Sequence, residues 1–231
     1  MNERSVRLLP AQMVTGFPNL LRPIAEWLVR MHVRPNTITS ASVIVVIGAG
    51  AAFGLDQPRL GALWLLLSGL LDILDGQVAR RGGMASKFGA FFDSTLDRIG
   101  EAALYAGIAI YFQTAAAQAR PVLGVIAALA ALTGSFLVSY ARARAEGLGV
   151  ECRVGLAQRP ERILGVGAPT LFFGSGPHGI LLLAIIGVLA LLSWYTVAQR
   201  VAFVFRMTNG SGPGPGAGAA APAAGTAPKG R

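Results

Sequence analysis

Apolar positions in this chain come in long runs, not in the alternating patterns of elements that lie half in water. Runs near residues 38–55, 60–79, 88–113, 122–143, 163–173 and 180–205 predict six helices. At a rise of ~1.5 Å per residue, about 20 residues cross the hydrocarbon core of a bilayer. Most of these runs are long enough, and the fifth spans only with a few added residues at each end. The predicted fold class is therefore all-α, a polytopic membrane protein with six transmembrane helices. Residues 17–31 differ: apolar side chains recur at Leu20, Ile24, Trp27, Leu28 and Met31, with Arg22, Glu26 and Arg30 set away from them. That spacing predicts an N-terminal interfacial amphipathic helix with Trp27 at headgroup depth. The resulting organisation is an N-terminal segment (1–16), the interfacial helix (17–34), a six-helix domain (35–206) and a Gly/Pro/Ala-rich tail (207–231). The tail is too poor in side chains to form a core and reads as disordered.

Composition agrees: 53% hydrophobic, 13% charged and a mean hydropathy of +0.57 exceed what a water-soluble domain needs. The links around 56–59, 118–120 and 174–179 hold only Arg59 and Arg120 as basic residues, whereas the remaining basic residues gather on the other side. The positive-inside rule places that side and both termini in the cytoplasm, with the chain in the cell membrane. The net charge of +9 then reflects orientation and anionic headgroups, so no nucleic-acid partner is expected. Cys152 is the sole cysteine, which excludes an intramolecular disulfide and a cysteine metal cluster. No secretory signal is expected, because the first apolar segment lacks a nearby cleavage pattern and further spans follow it.

Four carboxylates interrupt this apolar background. One in a membrane helix costs about 2.5 to 3.5 kcal/mol at mid-bilayer, so Asp72, Asp75, Asp93 and Asp97 together need cations or water. Asp72, Asp75 and Ala79 share one face near the cytoplasmic end of the second run; Asp93 and Asp97 share a face at the start of the third. Two antiparallel helices joined by R-R-G-G-M-A-S converge all four on one pocket. Oxygen-only ligands favour Mg2+ or Mn2+ over zinc, and four acids suffice for a pair of ions, a common device for displacement at phosphorus. Gly76 and Gly89 each cost ~1 kcal/mol in a helix relative to alanine, which fits close approach of a nucleotide or diphosphate. Ala79 leaves room and Arg80 offers a planar cation for phosphate. Each small residue alone is equally explained by helix-on-helix packing.

Together, D-x-x-D-G-x-x-A-R, eight residues, then G-x-x-x-D-x-x-x-D resembles the defining motif of the CDP-alcohol phosphotransferase family. It matches at Asp72, Asp75, Gly76, Ala79, Arg80, Gly89, Asp93 and Asp97. The resemblance implies a six-helix homodimeric membrane enzyme that moves a phosphatidyl or similar group from a CDP-linked donor to an alcohol, releasing CMP. It implies Asp72, Asp75 and Asp93 as metal ligands, and Asp97 as both ligand and catalytic base. It also sets the cytidine nucleotide against Pro35, Asn36, Thr37, Ile38, Gly76, Ala79, Arg80 and Ser86. Read from the residues alone, P-N-T is also a helix start, with Asn36 or Thr37 as N-cap.

The segment 139–162 carries Arg142, Arg144, Arg153, Arg159 and Arg162, more than orientation requires, which favours an acceptor that itself bears phosphate. Its R-A-R-A-E and R-P-E-R runs are similar to those of actinobacterial family members that use myo-inositol 1-phosphate. That resemblance implies CDP-diacylglycerol as donor, with Arg144, Arg153, Arg159, Arg142 and Arg200 capturing the acceptor phosphate. Family members that use glycerol 3-phosphate share the fixed motif, so the acceptor stays open between these two. A cation transporter is disfavoured, because later spans hold no acid to complete an ion path. G-A-A-F-G from Gly50 to Gly54 is a small-residue contact pattern suited to a dimer seam. His32 and His178 are expected to have no ligand role.

Overall fold

The computed structural model describes residues 19–114, 119–152, 154–156 and 158–209. The N-terminal segment, Arg153 and residues 210–231 of the tail lie outside the described residues. Among these residues helices are the regular elements, with no strand. The elements are α1 (Arg22–Arg30), α2 (Pro35–Gly54), α3 (Pro58–Arg81), α4 (Lys87–Thr114), α5 (Pro121–Gly147), α6 (Arg159–Phe173), a 3-10 turn (Pro177–Gly179) and α7 (Ile180–Asn209). The last helix continues three residues into the stretch expected to be tail.

Among the described residues, four helical segments are long and apolar enough to cross a membrane: α2, α3, α5, and the 3-10 turn continuous with α7. The sequence predicts six, and the difference has a cause. At 28 residues α4 is long enough but carries Lys87, Asp93, Asp97, Arg98 and Glu101, while α6 has 15 residues with Pro169 inside. Both segments bring ionic groups to the site, α4 with Asp93 and Asp97 and α6 with Arg159, as α3 does with Asp72 and Asp75 near its end.

Proline marks the starts of α2, α3, α5 and α6, where its missing N–H costs no helical hydrogen bond. Because Pro35 is the first residue of α2, its N-cap is Arg34, without a side-chain cap bond. Asn36 and Thr37 therefore lie inside the first turn, and the N-cap expected of them is not made.

The tightest packing is the crossing of α2 and α4. A Cβ built on Gly107 would sit 1.9 Å from the Gly50 carbonyl oxygen, and one on Gly50 would sit 2.3 Å from that of Ala103. Only glycine permits backbones to meet this closely. Gly50 thus serves a contact within the chain instead of the expected dimer seam. Around the crossing, Phe53, Leu65, Ile108, Phe112, Leu182 and Ile186 form a fully buried core joining α2, α3, α4 and α7.

A second cluster, Leu21, Ala25, Ile38, Leu74 and Val78, seats α1 against α2 and α3. The opposite face of α1 presents Leu20, Ile24, Trp27 and Met31 outward, all exposed, which gives the amphipathic helix the sequence predicts. Glu26 binds Arg22 at 2.7 Å and Arg81 of α3 at 3.2 Å. The Arg22 hydrogen bond holds the Glu26 carboxyl below its ordinary pKa.

Candidate active site

The aspartates of α3 are held by hydroxyls of α2. Thr39 donates to Asp75 Oδ2 at 2.7 Å, and Ser42 donates to Asp72 Oδ1. Thr39 and Ser42 are three apart, so one face of α2 serves two carboxylates three apart on α3. Asp75 is 7% exposed and Asp97 9%. Such burial is costly for a charged carboxylate unless partners compensate it.

Asp93 and Asp97 come from the first turns of α4. Asp75 feels the charges of Asp93 and Asp72, and Asp97 feels those of Asp93 and Asp72, so the four form one electrostatic group as the motif spacing predicts. The main compensating cation comes from α6. One guanidinium nitrogen of Arg159 pairs with Asp72 Oδ2 and, at 2.7 Å, with Asp97 Oδ1. The Asp72 Oδ2 atom is buried and touches that guanidinium, yet accepts no aligned hydrogen bond.

The donor set fits a hard divalent cation, being all oxygen with one buried carboxylate oxygen unused by any hydrogen bond. Arrangement is a separate matter from composition. Among the described residues no three His, Cys, Asp or Glu side chains are gathered closely enough to hold an ion as they stand. Like charges separate, and Arg159 takes the position between Asp72 and Asp97.

The nucleotide candidates flank this group. A Cβ on Gly89 would lie 3.1 Å from Ser86 Oγ and 3.5 Å from Asn36 Oδ1, so the starts of α2 and α4 meet there. Ser86 Oγ accepts the Gly89 N–H at 3.0 Å and closes the first turn of α4. Arg80 folds back over Gly76, its Nη1 lying 3.2 Å from where a Cβ would be. Ala79 and Pro35 are half-buried and Thr37 is exposed, whereas the Ile38 side chain belongs to the α1 core cluster.

The arginines predicted to share one role occupy different settings. Arg159 is in the aspartate group. Arg142 is exposed and paired with Glu146 at 2.8 Å, and Arg144 is exposed in the last turn of α5. Arg200 is buried and donates to the Val154 carbonyl at 3.0 Å and to the Val138 carbonyl, bracing the loop before α6. Arg153 lies outside the described residues.

Sequence reading missed Ser42, Thr39, Arg98 and Glu101. Glu101 is buried, and its carboxylate accepts Arg162 Nη2 at 2.5 Å, Arg98 Nη1 at 2.5 Å and Ser135 Oγ at 2.6 Å. It falls four residues after Asp97 on the same face, a periodicity visible in the sequence. Glu101 joins the aspartate group through these arginines: Arg98 lies against both Glu101 and Asp97, while Arg159 pairs with Asp72 and Asp97.

Comparison with known proteins finds relatives in both sequence and fold. The chain is 39% identical over 184 residues to the archaetidylinositol phosphate synthase of Methanothermobacter thermautotrophicus, covering 80% of this chain and 88% of that one. It is 40% identical over 150 residues to the phosphatidylinositol phosphate synthase of Cutibacterium acnes, covering 64% and 71% respectively. Its structure resembles crystal structures of the Mycobacterium tuberculosis phosphatidylinositol phosphate synthase at 32% identity. The structure with CDP-DAG bound has a TM-score of 0.68 and coverage of 79% and 92%. The structure with manganese and citrate also has a TM-score of 0.68, with coverage of 79% and 88%. The sequence pattern of the CDP-alcohol phosphatidyltransferase family spans residues 32–208, and this integral membrane protein is a member of that family.

Proposed function

We propose that the chain transfers a phosphatidyl group from CDP-diacylglycerol to myo-inositol 1-phosphate, giving phosphatidylinositol phosphate and CMP. The observation that carries this reading is the meeting of the motif aspartates with Arg159. One pocket thereby unites carboxylates suited to a diphosphate site with a cation from the arginine-rich segment suited to a phosphate-bearing acceptor. The names of the similar synthases, and the CDP-DAG bound by the mycobacterial one, support the same donor and acceptor class.

In this reading the acceptor hydroxyl oxygen attacks the donor phosphorus that bears the diacylglycerol oxygen. A new P–O bond forms as the bond from that phosphorus to the bridging oxygen of CMP breaks. CMP leaves with the electron pair, and the hydroxyl proton passes to the Asp97 carboxylate. Asp72, Asp75 and Asp93 are metal ligands, with Asp97 as ligand and base. Bound divalent cations, two ions of Mg2+ or Mn2+, supply neutralisation of the diphosphate and stabilisation of the CMP leaving group. Thr39 and Ser42 fix the carboxylates of α3. Asp72 and Asp97 would serve as ligands in place of their present pairing with Arg159, and that guanidinium would then serve the acceptor phosphate alongside Arg144, Arg153, Arg142 and Arg200. Pro35, Asn36, Thr37, Gly76, Ala79, Arg80 and Ser86 surround the nucleotide, while Ile38 anchors the start of α2.

The six-span topology belongs to the same reading, with α4 and α6 completing the bundle and their charges turned inward. Both termini and the site face the cytoplasm, and the enzyme is a homodimer.

The test offers purified protein and CDP-diacylglycerol one acceptor at a time: inositol 1-phosphate, glycerol 3-phosphate, inositol or serine. CMP is expected with inositol 1-phosphate; CMP with glycerol 3-phosphate alone overturns the acceptor. Chelation with EDTA is expected to abolish CMP release, and added Mg2+ or Mn2+ to restore it. Activity persisting in chelator rejects the metal site.

A further inference from the structure

The start of α6 is locked to α4 by two ionic rungs, one of which lies outside the motif. On α4, Asp97 and Glu101 are four residues apart; on α6, Arg159 and Arg162 are three apart, so each pair shares a helix face. Arg159 reaches Asp97 at 2.7 Å and Arg162 reaches Glu101 at 2.5 Å. Both rungs climb in the same direction along the two helices, which meet here through these side chains.

The second rung is the more deeply buried. Arg162 is 5% exposed and Glu101 7%, and Ser135 of α5 donates to the same carboxylate at 2.6 Å. Arg98 adds a further 2.5 Å contact while lying 3.8 Å from Asp97. One carboxylate therefore gathers donors from α4, α5 and α6. Removing one partner of so buried a pair leaves an uncompensated charge, so the arrangement is strongly determined once formed.

We propose that Glu101 is a positioning residue: by holding Arg162, Arg98 and Ser135 it fixes the rotation of α6 that delivers Arg159 to the aspartates and to the acceptor phosphate. Its enzymatic consequence rests on the role given to Arg159 above. The placement of Arg159 itself does not depend on which acceptor is used. Glu101 touches no reacting atom; it acts through the helix that carries Arg159. The carboxylate suits this place, since its two oxygens offer about four acceptor sites to the donors gathered here, whereas a hydroxyl oxygen would offer two.

Two variants separate positioning from mere support. Glu101→Gln keeps the shape and removes the charge; Glu101→Asp keeps the charge on a shorter stem. Glu101→Gln is expected to raise KM for inositol 1-phosphate about tenfold while leaving KM for CDP-diacylglycerol nearly unchanged, with partial recovery in Glu101→Asp. Independently of any substrate, labelling of Arg159 by phenylglyoxal, read by peptide mass spectrometry, is expected to speed up several-fold in Glu101→Gln. Labelling of Arg142, on another helix and paired with Glu146, should not change. Should Glu101→Gln fail to fold, Glu101→Asp and Arg162→Lys carry the same labelling comparison. Unchanged labelling of Arg159 overturns the proposal, as does a uniform fall in kcat and melting temperature with no KM split. If wild type uses another acceptor, the functional reading fails at that step while the labelling result still decides the role of Glu101.

Discussion

Asp97→Asn is expected to lower CMP release by roughly 10^2- to 10^4-fold, the range typical for loss of a positioned general base. The substitution is nearly isosteric, so the packing of α4 survives, and the amide oxygen can still face Arg159, which now lies 2.7 Å from Asp97 Oδ1. What disappears is a proton acceptor and a carboxylate oxygen able to bind a cation. Divalent-ion binding should therefore weaken along with turnover, which a direct Mn2+ titration of the detergent-solubilised protein can read without any substrate. Asp75→Asn should weaken ion binding as well, and it also alters the acceptor of the 2.7 Å Thr39 bond. A folded Asp97→Asn protein that releases CMP at the wild-type rate would remove Asp97 from the machinery and leave the motif a structural device. The effect differs in kind from that of Glu101→Gln, where the expected loss lies in acceptor KM and an intact base remains.

The aspartates were legible because their spacing is a helix-face code. Three and four residues along a helix return to the same side, and two such pairs across a short turn can meet. The face of α1 was legible for the same reason, from Leu20, Ile24, Trp27 and Met31. Partners on distant helices were not legible. Nothing in the local sequence around Ser42 points to Asp72, thirty residues away, and an arginine in a basic loop reads as topology until its guanidinium is placed. Arg159 illustrates this most clearly: the sequence assigns it to phosphate capture, while the structure sets it between Asp72 and Asp97. The number of spans was read from apolar runs, and apolarity is what α4 sacrifices to carry Asp93, Asp97, Arg98 and Glu101. Gly50 was visible as a small-residue contact, but only the fold identifies its partner as α4 of the same chain.

That partnership leads to the other large expected effect. Gly107→Val should prevent stable assembly of the bundle, seen as loss of a monodisperse detergent-extracted species, whereas a valine at Gly187, which has open space around it, should be tolerated. A single Cβ at Gly107 would stand 1.9 Å from the Gly50 carbonyl oxygen, a backbone atom with no rotamer through which to yield. Overpacking a well-fitted interior costs about 1 to 3 kcal/mol when side chains can adjust, and more where they cannot. Relief requires α2 and α4 to move apart along their whole contact. Their separation is also what aligns the site, because α2 carries Thr39 and Ser42 to the carboxylates of α3 while α4 carries Asp93 and Asp97 to face them. A milder Gly107→Ala that still assembles should therefore lose divalent-ion affinity before it loses helix content. An alanine variant with wild-type ion binding and stability would show that the close approach of Gly50 and Gly107 does not set the geometry of the aspartates.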